Sequence, residues 1–307
     1  MPSVLIFLAV YQGEQFLVEL LQSLTNQTVK EVHILASDDG STDRSVEILR
    51  KAQKSWKKGT FEIVEGPQNG FANNFRAMLL QTEIRADYYA FCDQDDVWDA
   101  NRLERGLIWH EGLNIEVPAV FGSRPRLIDA SNRVTGLAKL MNKPPSFQHA
   151  LAQNLLPGHT MLFNNATRNL LVKTADYIGK ISHDYWTYLI VTGVGGGVHY
   201  SLKPTVSYRQ HETNVIGVNV SLLHHLWRFK RVARGDVRRR SALRIKALEE
   251  CWHILTPSAQ SSLQHFRNLY YSNSAIERMD NLAKSGIYRQ SRMGRLALKV
   301  DCFFGQL

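Results

Sequence analysis

Two acidic clusters hold the residues whose types and spacing could do chemistry. Asp93-Gln94-Asp95-Asp96 directly follows the apolar run Tyr88–Phe91, and Asp38-Asp39 directly follows Val32–Ser37. At a strand end, Asp93 and Asp95 occupy alternate positions, so both carboxylates can point the same way. A hard divalent cation takes such oxygen ligands and keeps further positions for water and phosphate. The bland alternative is a solvated turn, with Asp96 or Asp99 capping a helix over 101–113. Position favours the metal reading, because helix caps do not usually come in fours after an apolar run.

The elements that must position these residues follow from periodicity. Val4–Val10, Val32–Ser37, Phe61–Val64 and Tyr88–Phe91 read as buried strands. Between them, Glu14–Leu24 repeats leucine on one face, a helix follows Asp39 or Ser41 as its cap, and Asn73–Leu80 forms a third helix. This alternation predicts an α/β fold with an open, mainly parallel, doubly wound sheet. Ligands of such sheets sit at the carboxyl ends of the strands, so both acidic clusters should share one edge. Further on, Val120–Ile128 and Val134–Leu137 flank a hairpin turn, Thr160–Phe163 reads as a strand, and Asn165–Ala175 and His183–Ile190 read as helices. After His211, helices are expected over about 220–251, 256–273 and 286–304.

Composition narrows the class. With 307 residues and 44% apolar content the chain can bury a large core. Cys92, Cys251 and Cys302 are too widely spaced for a metal cluster or a disulfide framework, and they fit a reducing compartment. No apolar run reaches membrane-spanning length, and the N-terminus lacks the marks of a signal peptide. The net charge of +9 is localised: Arg228 to Lys246 holds nine Lys or Arg against the single acid Asp236. Such a segment suits an anionic partner or a solvated helix face.

Four motifs in order then resemble bacterial family 2 glycosyltransferases, in their rhamnosyltransferase-like subgroup. They are Asp38-Asp39-Gly40-Ser41-Thr42-Asp43 after Val10-Tyr11-Gln12-Gly13-Glu14, Phe91-Cys92-Asp93-Gln94-Asp95-Asp96-Val97-Trp98, His183-Asp184-Tyr185-Trp186, and Tyr208-Arg209-Gln210-His211-Glu212-Thr213-Asn214. The resemblance runs over residues 3–217. It implies a GT-A domain over 1–217, with a nucleotide-binding half (1–113) and an acceptor half (114–217), and a basic helical extension over 218–307. It also implies inversion, a dTDP- or UDP-linked sugar donor, and Mg²⁺ or Mn²⁺. Rhamnose is the sugar that the subgroup implies; a hexose or N-acetylhexosamine stays open. The acceptor would be a glycan or lipid-linked glycan of a cell-surface polysaccharide such as an O-antigen or capsule.

By position in the motifs, Ala9, Tyr11, Asp38, Asp39, Gly70, Asn74, Asp93 and Gln94 would surround the nucleotide. Asp95 would be the main metal ligand, with Asp93 and His211 beside it, and Asp184 would be the general base. Arg209, His183, Trp186 and His159 are candidates for the diphosphate or the acceptor. Asp96 is given no role. Several of these residues have a structural alternative: Tyr11 as a core aromatic, Asp39 or Asp184 as a helix cap, Gly70 as a turn glycine, Asn74 as an exposed helix start, His159 as a satisfied loop histidine.

The expected location is cytoplasmic, with the basic helices against anionic lipid at the inner face of the membrane. Two rivals fare worse. A sugar nucleotidyltransferase needs a Gly-rich basic loop after the first strand, where Tyr11-Gln12-Gly13-Glu14-Gln15 has no Lys or Arg. A nucleic-acid binder needs basic residues interleaved with aromatics over a docking face, and no such motif accompanies the basic run; nucleic acid is therefore not an expected partner.

Overall fold

The structure is a computed structural model that describes residues 2–81, 83–210 and 236–307. His211 and the first part of the basic run, including Trp227 to Arg234, lie outside the described residues. Numbered along the chain, the strands are β1 (Val4–Val10), β2 (Val32–Asp38), β3 (Phe61–Glu65), β4 (Tyr88–Asp93), β5 (Val97–Trp98), β6 (Ala119–Ser123), β7 (Arg126–Ile128), β8 (Val134–Leu137), β9 (Leu162–Asn164), β10 (Gly197–Ser201) and β11 (Val206–Arg209). The helices are α1 (Leu17–Thr25), α2 (Ser45–Ser55), α3 (Phe71–Gln81), α4 (Arg102–His110), α5 (Phe147–Ala150), α6 (Asn165–Lys173), α7 (His183–Gly193), α8 (Asp236–Glu250), α9 (Pro257–Tyr271), α10 (Ala275–Ser285) and α11 (Arg292–Phe303).

The main sheet has seven strands in the order β10-β6-β9-β4-β1-β2-β3. Its neighbours pair in parallel except β9, which runs antiparallel to both β4 and β6. β1 is apolar at every position because both faces of the sheet are covered. Its side chains alternate: Leu5 and Phe7 join the cluster that contains Phe75 of α3 and Trp186 of α7, while Val4, Ile6, Leu8 and Val10 join the one that contains the α1 leucines. The expected α/β fold with a helical extension is therefore what the chain forms, and the inserted antiparallel strand makes its sheet mixed.

Differences from the expected elements have local causes. Residues 120–128 are not one strand but β6 and β7, which lie in different sheets and are separated by Arg124-Pro125; proline has no N–H for a ladder. β7 does form the expected hairpin with β8, closed by the Arg133 N–H on the Asp129 carboxylate at 3.0 Å. Neither Ser41 nor Asp39 caps α2; the Asp43 carboxylate accepts from the Ser45 N–H at 3.0 Å. Helix α10 is not among the expected helices; the Ser274 side chain caps its start and Gly286, at φ +69°, ends it. Helices α8 to α11 contribute Leu248, Leu263, Leu282 and Leu298 to the same apolar cluster as α7.

A second sheet, β5-β11-β7-β8, lies beside the carboxyl end of β4. Arg209 of β11 is fully buried there and connects several segments. Its guanidinium donates to Glu19 of α1 at 2.6 Å, to the Asp95 carbonyl at 2.9 Å and to the Asp129 and Ala130 carbonyls, and it lies over the Phe16 ring. Only a planar, multiply donating cation reaches all of these at once. Arg209→Met should cost about 3 kcal/mol, because several part-buried acceptors, the Glu19 carboxylate among them, lose their donor. Arg209→Lys should recover less than half of that. Urea unfolding midpoints measure both, and a loss within experimental error for Met would contradict the assignment.

Candidate active site

β4 ends at Asp93 and the chain turns at Gln94-Asp95, so strand alternation stops there. The turn carries Asp96 inward, not Asp95. Asp93, Asp96 and His159 each offer one ligand atom, and these atoms lie within 4.8 Å of one another. The His159 Nδ1 is 3.6 Å from the Asp93 carboxylate and 3.8 Å from that of Asp96. His159 stands on the 3-10 turn Gly158–Thr160, and its ring stacks on Tyr208 at 4.9 Å. Buried Arg102 holds this turn through the His159 carbonyl at 2.7 Å and lies flat on the Trp98 ring.

Asp96 is fully buried, and one of its carboxylate oxygens has no hydrogen-bond partner. Burial, with Asp95 and Asp93 adding repulsion, pushes its carboxyl up to about 8. Burial alone would lower His159, but the carboxylates of Asp96 and Asp93 more than reverse that and raise it. Burial acts to raise Asp93 as well, yet His159 holds it below the usual carboxylate value. The cluster therefore keeps a proton where a cation would fit. Two carboxylates and an imidazole suit Mn²⁺ more readily than Mg²⁺, which prefers all-oxygen ligation. The unpartnered Asp96 oxygen is the observation that makes these residues fit a metal. Asp95 lies close enough to repel Asp96 but outside the converging set.

The rim beside the cluster comes from the loops after β1, β2 and β3. Ala9 pairs in register with Asp93 on one side and Ser37 on the other. Gln94 grips Tyr11 from both sides: its amide accepts from the Tyr11 N–H and donates to the Tyr11 carbonyl, each at 2.6 Å. Gln94 is thus committed to the backbone, while the Tyr11 ring projects outward, 57% exposed, and is no core aromatic. Asp39 accepts from the N–H groups of Gln68 at 2.6 Å and Gly70 at 3.2 Å, fixing the loop after β3. Gly70 has φ +81° and open space where a side chain would stand. Asp38 closes its own turn on the Ser41 N–H at 2.9 Å. Asn74 is buried, not exposed, and donates to the Ser37 carbonyl at 3.0 Å.

On the other side of His159 stands the first turn of α7. Asp184 accepts from the Ser182 hydroxyl at 2.6 Å, the Tyr185 N–H at 2.7 Å and the Asn154 amide at 2.8 Å. A carboxylate has about four acceptor positions, so one is left over. Gly158 packs against both Asp184 and the His183 ring so closely that no side chain fits. This contact sets α7 against the turn that carries His159.

Several candidates take different places from those expected. His159, read as lining the acceptor side, belongs to the acidic cluster. His183 is buried among Phe71, Phe75 and Phe91, with Phe75 at 4.1 Å, and burial lowers its pKa. Trp186 is completely buried and donates to Thr174 at 3.0 Å, so it offers no ring to a sugar. Arg209 supports the acidic turn from behind and is not a clamp on a diphosphate, because its guanidinium is already spent. Sequence reasoning missed Asp96, Arg102 and Asn154. For Asp96 the signal was an acid immediately before the apolar pair Val97-Trp98, which draws it inward.

Comparisons with known proteins show the family and the fold. The family model for glycosyl transferase family 2 matches residues 5–158. That stretch holds both acidic clusters and stops just before His159. The dTDP-rhamnosyl transferase RfbG of Shigella flexneri is 26% identical over 227 residues, or 70% of this chain and 75% of that protein. The UDP-Glc:alpha-D-GlcNAc-diphosphoundecaprenol beta-1,3-glucosyltransferase WfaP of Escherichia coli is 23% identical over 197 residues, 63% of this chain and 72% of its own. Among solved structures, S. aureus TarS 1-349 in complex with UDP-GlcNAc has the same fold, with a TM-score of 0.55 at 15% identity, covering 92% of this chain and 89% of that one.

The cluster makes a pH-dependent prediction. Asp96 and His159 are both raised on folding, so each contributes stability at low pH that is lost as pH rises through its folded value. Asp93 is lowered, so its contribution is lost only in acid, outside this window. Burial lowers His110, His149, His183 and His199, which act in the opposite sense over the same range. Between about pH 6 and about pH 8.5 the metal-free chain should therefore lose more melting temperature, or gain less, than its Asp96→Asn variant. Mn²⁺ displaces the protons, so its stabilisation should grow over the same range. Asp96→Asn should flatten this growth as well. Thermal melts in EDTA and in Mn²⁺ test this, and equal slopes in wild type and variant would refute it.

Proposed function

The chain belongs to glycosyl transferase family 2, and from that premise we propose that it is an inverting, metal-dependent transferase of cell-surface glycan synthesis. It moves a sugar from a nucleoside-diphosphate donor to an acceptor hydroxyl. The observation that carries the reading is the buried, unpartnered Asp96 oxygen converging with Asp93 and His159 at the carboxyl edge of the sheet. The exposed Tyr11 ring offers a stacking face for the base. Gly70 lets the donor approach the backbone closely, and the Asp39 carboxylate holds that loop in place.

A divalent cation at Asp93, Asp96 and His159 would neutralise the diphosphate as it departs. Asp184 takes the proton of the acceptor hydroxyl as that oxygen bonds to the anomeric carbon. The bond from that carbon to the donor phosphate breaks, and its electron pair leaves with the diphosphate. The three hydrogen bonds to Asp184 fix its orientation and leave an acceptor position for the incoming hydroxyl. Rhamnose from a dTDP donor is the favoured substrate, supported by the motif resemblance and by the similarity to RfbG. A lipid-linked glycan is the favoured acceptor, supported by the similarity to WfaP.

Asp184→Asn should lower kcat by about 10²–10⁴-fold while leaving nucleotide affinity within about threefold. Asp96→Asn should instead abolish the metal dependence of nucleotide binding. Calorimetric titration with dTDP, UDP and GDP, each with and without Mn²⁺, measures binding and also ranks the bases. Nucleotide binding that ignores metal in the wild type would remove the site assignment. A fully active Asp184→Asn would remove the base.

A further inference from the structure

The last helix presents two unlike faces. On one, Leu298 and Cys302 are buried in the main apolar cluster. On the other, Met293, Leu296, Val300 and Phe303 recur at intervals of three and four, with Phe304 just beyond the helix end. That spacing places them on one stripe. The stripe is bare, with exposures between 46% for Val300 and 74% for Met293.

A basic edge accompanies the stripe. Arg292, Arg295 and Lys299 each precede a member by one residue, which puts them along one side of it. Arg292 and Lys299 are exposed. The acid of this helix, Asp301, is turned aside to Arg289 at 3.5 Å. At the far end, Arg238 of α8 donates to the Gly305 carbonyl at 2.7 Å. This joins the end of α11 to a turn that also carries exposed Arg239 and Arg240.

We infer that this face of α11 docks the protein onto an anionic lipid bilayer. The apolar stripe would insert at the boundary between headgroups and acyl chains, and the basic edge would meet the lipid phosphates. A second copy of the chain meeting this face through its own stripe would bring the same basic edge against it. An anionic surface is complementary in charge to that edge. The docking does not rest on the donor-site reading; it adds a reason why a lipid-borne acceptor would be within reach.

The test is sedimentation of the full chain with vesicles of phosphatidylcholine containing about a quarter phosphatidylglycerol, and with phosphatidylcholine alone. Wild type should bind the anionic vesicles at least tenfold more tightly than the neutral ones, and high salt should remove most of that difference. The double variant Leu296→Glu/Phe303→Glu should lose at least tenfold in partition to the anionic vesicles. Arg292→Glu/Lys299→Glu, which leaves the apolar stripe intact, should also lose at least tenfold, since each basic residue near such a surface is worth about fivefold. If the apolar variant fails to fold, the charge variant carries the test alone. No binding of wild type at low salt overturns the inference, as do folded variants that bind like wild type. Light scattering that finds a wild-type dimer dissolved by the apolar variant, without vesicle binding, gives the face to a second copy and also overturns it.

Discussion

Burying the Asp96 carboxylate beside Asp93 and Asp95 is costly unless a proton or a cation compensates it. The fold accepts this cost at one point, the carboxyl end of β4, and arranges much of its polar chemistry around that point. His159 approaches from one side, Arg102 lies close enough to attract the Asp96 charge, and the Arg209 N–H faces the second Asp96 oxygen at 3.4 Å. None of these groups cancels the charge outright. A binding site for a cation must be incomplete in this way, since a fully satisfied carboxylate has nothing left to give to a ligand.

The surrounding residues act on backbone more than on ligand. Gln94 holds Tyr11, Asp39 holds the loop after β3, Asn74 holds the end of β2, and Arg209 holds the acidic turn itself. Gln12 and Gln68 adopt left-handed backbone at φ 52° and 53° in the loops that meet at this edge. Such strain persists only where neighbouring hydrogen bonds enforce it. Here they do: the Gln12 N–H donates to Ser41 at 2.9 Å and the Gln68 N–H to Asp39. The result is a rim fixed before any ligand arrives, which lowers the ordering cost of binding.

The family relation and the local geometry cover different parts of the molecule. The family match spans β1 to β8 and ends at Gly158, the first residue of the turn that carries His159. The remaining site elements, that turn and the start of α7, are held to the matched part by tight packing at Gly158. Helices α8 to α11 then extend the apolar cluster behind α7, leaving the outer face of α11 uncovered. No helix of the described residues is long and apolar enough to cross a membrane.

The sequence by itself determined the mainly parallel sheet, the positions of its first four strands along the chain and the shared edge of the two acidic clusters. Uninterrupted apolar runs of strand length, alternating with amphipathic helices, admit few other folds, and each cluster directly follows such a run. It also determined that Asp184 opens a helix and that the chain ends in helices. Only the tertiary structure decided which side chains meet. A single turn at Gln94-Asp95 exchanged Asp95 for Asp96 at the cluster, and His159 joined it from 63 residues beyond Asp96 along the chain. His183, Trp186 and Arg209 stand in the motifs but face inward, toward partners that become neighbours only after folding. Periodicity reports whether a residue faces the core. It carries no information about which distant backbone atoms wait there, because those contacts are set by how the sheets and helices close on one another.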